Sequence, residues 1–181
     1  IDPAQYEFCY SQMPTTFPIP ASYDDREECA TGIVWQYGTT NLDTVADGAS
    51  YPVAMTDYFT SNVNKTITFN VFTTNGYANS EPTVVTIVMN ASPVLVGDNS
   101  LVDDTLCPRG EELLKTQFSD SNIGQTNSTI SYSWTLNGTA ININTASITG
   151  TAPDACSGTN VYVVTAIATS EAGCMDTLVR T

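Results

Sequence analysis

Along this chain, apolar and polar residues alternate with a period of two over short runs, and turn residues close each run. Gly32 to Tyr37, Thr66 to Thr73, Thr83 to Met89, Ile130 to Leu136, Val161 to Ala168 and Thr177 to Arg180 are of this kind, rich in Val, Ile, Thr, Tyr and Phe. Successive strand residues point to opposite faces, so the alternation predicts strands with one face on a core. Only Glu111 to Thr116 reads helically, and it is too short to count as a helix. The expected class is all-β.

The runs fall into two sets that repeat one another. Cys9 in FCYSQMP corresponds to Cys107 in LCPRGEE at an offset of 98, Trp35 in VWQYGT to Trp134 in SWTLNGT at 99, and Gly76-Tyr77 to Gly173-Cys174 at 97. Three nearly equal offsets mark an internal repeat. The strand TVVTIVMN ends at Asn90 and Pro93 restarts the chain, so a linker is expected near Asn90-Ala91-Ser92-Pro93, with modules over residues 1–91 and 92–181. In each module an early strand carries a Trp and a hairpin closes the far end, turning at Asn75-Gly76 in the first and Ala172-Gly173 in the second. Trp35 and Trp134 are expected as core anchors between two packed sheets, in preference to platforms for sugar.

Charge narrows the partners. There are 19 acidic residues against five basic ones, Arg26, Lys65, Arg109, Lys115 and Arg180, for a net charge of −14. Such a field repels nucleic acid and anionic lipid, and no basic patch exists to neutralise phosphates, so no nucleic-acid partner is expected. No apolar run approaches the ~20 residues of a membrane span, so no membrane insertion is expected. The chain opens on Ile1 rather than Met, without a signal peptide, which predicts mature or excised material. Few charges amid abundant Thr, Ser and Asn suit a secreted β protein rather than a disordered one.

Five cysteines, Cys9, Cys29, Cys107, Cys156 and Cys174, show no CxxC spacing, and the chain has no histidine. Disulfides in an oxidising space fit them better than zinc, with connectivity left open; the odd count leaves one thiol unpaired or bonded to another chain. Without histidine, a Ser-His or Cys-His nucleophile is excluded. Paired acids remain, Glu27 with Glu28 and Glu111 with Glu112, but neighbours on a strand face opposite ways and do not converge on one substrate. The expectation is a protein that is not an enzyme. Acids also cluster at Asp24-Asp25-Arg26-Glu27-Glu28 and at Asp98, Asp103 and Asp104 beside the expected linker, where calcium would find oxygen ligands. The competing reading is a solvated acidic surface, and no other cofactor is expected.

SYSWTLNGT, followed by NTASITGTAPDACSGTNVYVVTAIATSEAGCMDT, resembles the tandem PKD-like and SprB-type repeats of large Bacteroidetes surface adhesins and gliding-motility proteins. In those repeats a Tyr-x-Trp strand, a Ser-Ile-Thr-Gly turn, an alternating Val/Thr run and a final Gly-Cys follow in this order. The likeness spans Ile130 to Thr177; the first module matches through IVWQYGT and NGYANSEPTVVTIV, with Tyr77 where the repeats carry cysteine. The resemblance implies two tandem immunoglobulin-like or PKD-like β-sandwich modules, export across the outer membrane, and display outside the cell, on its surface. It implies a bond from Cys107 to Cys174. Cys9 then lacks the equivalent partner, leaving Cys29 as its local candidate, and Cys156 is either a buried free thiol or a bond to a neighbouring subunit. It also implies that Asp-Thr before an aliphatic residue is an O-glycosylation signal, at Thr44, Thr105 and Thr177, against unmodified surface Thr. Four Asn-x-Ser/Thr sequons stand at Asn64, Asn90, Asn127 and Asn137.

Two functions are expected from this reading. The first is a structural segment of a surface filament or of a large adhesin's repeat stalk, its partners being neighbouring copies or repeats, with the stretches Tyr6 to Tyr10 and Thr177 to Thr181 offered for strand pairing. The alternative is an adhesion module that binds surface glycan or protein through sandwich loops, such as Tyr51 to Phe59, where Tyr58 and Phe59 are the binding candidates against core packing or an intermodule contact.

Overall fold

The computed structural model describes residues 4–23, 29–97, 110–152 and 158–181. Among these the chain is built of β-strands, with a 3-10 turn at Tyr10–Gln12 and two four-residue helices, α1 (Met55–Tyr58) and α2 (Ile123–Thr126). The chain divides into two compact units, Ile1–Asn90 and Ala91–Thr181.

The first unit contains β1 (Ala4–Cys9), β2 (Thr16–Pro20), β3 (Gly32–Tyr37), β4 (Thr40–Val45), β5 (Ser50–Ala54), β6 (Lys65–Thr74) and β7 (Thr83–Asn90). A five-stranded sheet runs β1-β7-β6-β3-β4, and β2 pairs with β5 in a second sheet. Alternation decides what lies between them: Ile33 and Trp35 of β3, Ile67, Phe69 and Val71 of β6, and Val85, Ile87 and Met89 of β7 meet Ile19 of β2 and Val53 of β5 in one core. Tyr6 and Phe8 of β1 each meet Phe17 of β2 edge-on at 4.9 Å. The two sheets thus face each other as a sandwich.

The stretch Tyr6 to Tyr10, offered for strand pairing, begins in β1: Ala4–Cys9 lies parallel to β7, from Ala4 opposite Val85 to Cys9 opposite Asn90, as an outer strand of its sheet. One sequence expectation changes here: Asn75-Gly76 is not a two-residue turn, because that turn needs positive φ at both positions and only Gly76 has it, at +85°. Instead Asn75 Oδ1 accepts the N–H groups of Tyr77 and Ala78 at 2.9 and 2.8 Å, starting an eight-residue loop over 75–82.

The second unit contains β8 (Leu95–Val96), β9 (Glu111–Lys115), β10 (Ser119–Asp120), β11 (Thr129–Leu136), β12 (Thr139–Ala140), β13 (Ser147–Thr151), β14 (Tyr162–Thr169) and β15 (Met175–Arg180). Its main sheet runs β12-β11-β14-β15, beside the pairs β13-β9 and β10-β8. Trp134 of β11 and Val164, Ala166 and Ala168 of β14 pack against Leu114 of β9 and Ile148 of β13. The orders β7-β6-β3-β4 and β15-β14-β11-β12 are one plan built twice, with Trp35 opposite Val71 and Trp134 opposite Val164.

The helical reading of Glu111 to Thr116 is overturned. Glu111–Lys115 is a strand, antiparallel to β13 from Ser147 opposite Lys115 to Thr151 opposite Glu111. Five residues cannot offset the cost of helix nucleation, whereas the ladder satisfies their backbone groups and buries Leu114 while Leu113 stays half exposed. The Ser-Ile-Thr-Gly stretch, expected as a turn, is strand β13. Gly150 serves it by packing, since a Cβ there would stand 2.8 Å from the Leu114 side chain.

Candidate functional site

The aromatic residues put forward for ligand binding are drawn into the first unit. Residues 51 to 59 are β5 and α1 rather than an open loop, and Phe59 is 2% exposed within the core. Tyr51 stacks on Trp35 at 4.8 Å, and Tyr58 meets Phe69 at 5.5 Å and Tyr37 at 5.0 Å, both edge-on. Burial raises the Tyr51 phenol above its ordinary 10.0, with Asp43 adding to it; burial does the same for Tyr58, followed by Tyr51, Asp57 and Tyr37. Phe59 is therefore a core aromatic, and Tyr58 lies partly buried against the same core beside Phe69. Among the described residues Tyr77 alone of the large exposed apolar side chains is fully exposed, on the 75–82 loop.

Both tryptophans are buried, Trp35 at 0% and Trp134 at 1% exposure. Trp134 Nε1 donates to the Thr145 carbonyl at 2.9 Å, whereas Trp35 Nε1 has no hydrogen-bond partner.

Asp120, which sequence reading passed over, organises the start of the second unit. Its Oδ1 accepts the N–H groups of Val94 and Asn122, each at 2.8 Å, and its Oδ2 accepts the hydroxyls of Thr126 at 2.5 Å and Ser128 at 2.7 Å. The side chain is buried, at 6% exposure. Burial alone would raise the carboxyl, but the bonds from Thr126, Val94, Ser128 and Asn122 outweigh it and hold it below its ordinary 3.8. The legible signal was Asp120 two residues before Asn122, where an Asp commonly accepts a backbone N–H; the other three donors come from folding. Asp176 acts similarly at smaller scale, Oδ2 accepting the Leu95 N–H at 2.8 Å.

Cys9 and Cys174 are each disulfide-bonded, and Cys29 is a free, exposed thiol. The local bond from Cys9 to Cys29 is thus not formed, and the topology says why. Cys9 lies opposite Asn90, at the end of the sheet where Lys65 pairs with Met89, while Cys29 precedes Gly32, which pairs with Thr74 at the far end of β6. That separation, about 30 Å along β6 and three strand spacings across, far exceeds the ~7 Å that a disulfide tolerates. Cys107 and Cys156 lie outside the described residues, as do Thr105, the acidic stretch 24–28 and the calcium candidates Asp98, Asp103 and Asp104. Among the described residues no group of three or more acids or cysteines is placed to hold a metal ion.

Thr44 on β4 and Thr177 on β15 are both exposed, each on an outer strand of its main sheet. In both motifs the Asp turns back on the Thr backbone: Asp43 Oδ1 accepts the Thr44 N–H at 2.7 Å and Asp176 Oδ1 the Thr177 N–H at 2.8 Å. Of the sequon asparagines, Asn64, Asn127 and Asn137 are exposed and Asn90 is half-buried. Asn137 has a structural task, forming with Gly138 the two-residue turn from β11 to β12 at φ +49° and +80°. No helix among the described residues is long and apolar enough to cross a membrane.

No family model matches the chain, and no curated protein sequence matches it. Among solved structures it is similar to the fibronectin(III)-like modules of Clostridium thermocellum CbhA, at 11% identity and a TM-score of 0.37, with 99% of this chain and 89% of that one covered. A score so low carries no argument about function. The chain is all-β, with a sandwich core in each unit.

Proposed function

We propose that this chain is a structural segment of an extracellular surface filament, or of the repeat stalk of a large adhesin, whose working parts are two β-sandwich modules. The observation that carries this reading is the single strand plan built twice around a buried Trp, while the aromatics best placed for ligand chemistry by sequence are packed into the core. Disulfide-bonded Cys9 and Cys174 support an oxidising compartment, and the exposed Thr44 supports a surface open to sugar. Sheet ladders and covalent bonds are what a tensile element needs, and no catalytic step is assigned to it.

The test is the intact mass of the protein taken from its native surface, with and without reductant. A mass near 19.4 kDa plus sugar increments means a small subunit that polymerises, and a mass of far greater size means two beads of a giant chain. A protein found only inside the cell with all five cysteines reduced overturns the reading. One observation favours the adhesion-module alternative, the full exposure of Tyr77 on its loop. Loss of glycan-surface binding in Tyr77→Ala, with an unchanged melting curve, would establish that alternative.

A further inference from the structure

Two Asn-Gly pairs occur in the chain, Asn75-Gly76 and Asn137-Gly138. Such a pair holds a latent reaction, because the glycine nitrogen, unshielded by a Cβ on its own residue, can attack the carbonyl carbon of the preceding side chain. The fold holds the two asparagines in opposite ways.

Asn137 lies in the left-handed region at φ +49°, in the turn from β11 to β12. Both halves of its carboxamide are tied to residues 23 and 24 positions further along: Nδ2 donates to Asn160 Oδ1 at 3.2 Å, and Oδ1 accepts the Val161 N–H at 2.9 Å. Its side chain is thus committed to another segment and not to the glycine that follows it.

Asn75 folds forward over its own chain. Its Oδ1 accepts the N–H groups of Tyr77 and Ala78 at 2.9 and 2.8 Å, so its carbonyl is turned toward the segment that begins with the Gly76 nitrogen. That nitrogen donates its proton to Thr74 Oγ1 at 3.1 Å, a hydroxyl that can rotate and release it, and not to a backbone carbonyl. Among the described residues no bond holds Asn75 Nδ2, and residues 75–80 are all exposed to water.

We propose that Asn75-Gly76 is a self-modifying site, where the Gly76 nitrogen closes onto Asn75 Cγ and the resulting succinimide opens in water to aspartate or isoaspartate. The Gly76 nitrogen loses its proton to solvent as the N–Cγ bond forms. Negative charge then gathers on Oδ1, where the Tyr77 and Ala78 N–H groups already stand, as donors do in an oxyanion hole. The Cγ–Nδ2 bond breaks and Nδ2 leaves as ammonia, carrying a proton in place of the one lost. Water then adds to one imide carbonyl and the nitrogen regains its proton, so one water enters for one ammonia released. Opening at Cγ gives aspartate; opening at the backbone carbonyl gives isoaspartate, which routes the main chain through an extra carbon. Either product puts a carboxylate two residues before the fully exposed Tyr77, and isoaspartate also lengthens the 75–82 loop that carries it. The inference goes beyond the structural reading and stands without it.

Peptide mapping of the full chain aged in mildly alkaline buffer tests this, once folded and once reduced and unfolded in urea. Conversion is read as the mass gained when an amide becomes an acid, and isoaspartate by methyl transfer from an isoaspartyl methyltransferase. Unfolded, the two pairs should react at similar rates, since each has glycine next. Folded, Asn75 should match or exceed its unfolded rate while Asn137 slows at least about tenfold, the two differing only in how the fold orients the reacting groups. An Asn75 that reacts more slowly folded than unfolded overturns the proposal, and so does an Asn137 that folding does not slow.

Discussion

Asp120 accepts hydrogen bonds from residues as far apart in sequence as Val94 and Ser128, so one buried carboxylate ties the entry of the second unit to its α2 region. Removing it leaves two backbone N–H groups and two hydroxyls without their acceptor. Asp120→Ala should cost about 3 kcal/mol, since each buried donor left unpaired costs about 1–3 kcal/mol and the hydroxyls can turn elsewhere. At about 4–8 °C per kcal/mol for a unit of this size, calorimetry should show a transition lowered by about 12–24 °C. The acid limb follows from the sign of the shift. A carboxyl held below 3.8 in the fold contributes fully above that value, and its contribution is lost as pH falls through the lower folded value. Asp120→Asn should flatten that part of the profile below about pH 4, and an acid limb matching wild type would refute the assignment. Cys29 offers a second residue-scale check: maleimide applied to the folded, unreduced protein should label it, as peptide mapping reads out, whereas Cys9 and Cys174 should need reductant first.

At the scale of elements, the hairpin between β11 and β12 depends on Asn137 and Gly138 in the left-handed region. A β-branched residue is strained there, so Gly138→Val should destabilise the second unit by about 1–2 kcal/mol. Gly124 in α2 has ordinary φ and open space around its Cβ direction, so Gly124→Ala should be neutral or stabilise by about 0.4–1 kcal/mol. Chemical denaturation of the two variants measures the contrast, and equal effects would argue against the turn. The central strands were legible because burial on one face imposes a period of two. Six short or peripheral strands, β2, β4, β5, β8, β10 and β12, were not, since runs of two to six residues, most of them holding Pro, Asp or Thr, carry too little pattern. β9 was misread because Glu, Leu and Lys favour helix locally while its partner β13 lies over 30 residues away.

Across the whole molecule the excess of acids sets a self-repulsion that folding has to overcome. Adding NaCl from about 0.01 to about 0.5 M shortens the screening length from about 30 Å to about 4 Å. The melting temperature of the full chain should therefore rise with salt, by a few degrees; a fall would mean that ion pairs outweigh repulsion. The effect should shrink toward acid pH as the carboxylates protonate, the range in which Asp120 also loses its stabilising contribution, so the salt series is best run near neutrality.

The all-β class and the strands at the centre of each main sheet were determined by the sequence alone, because alternation and turn chemistry act between neighbours. The tertiary structure alone decided where the peripheral strands pair, that Cys29 stays free while Cys9 is bonded, and that Phe59 lies in the core. It also decided that four donors converge on Asp120. Each of these depends on residues far apart in sequence, whose meeting is fixed by strand order and register.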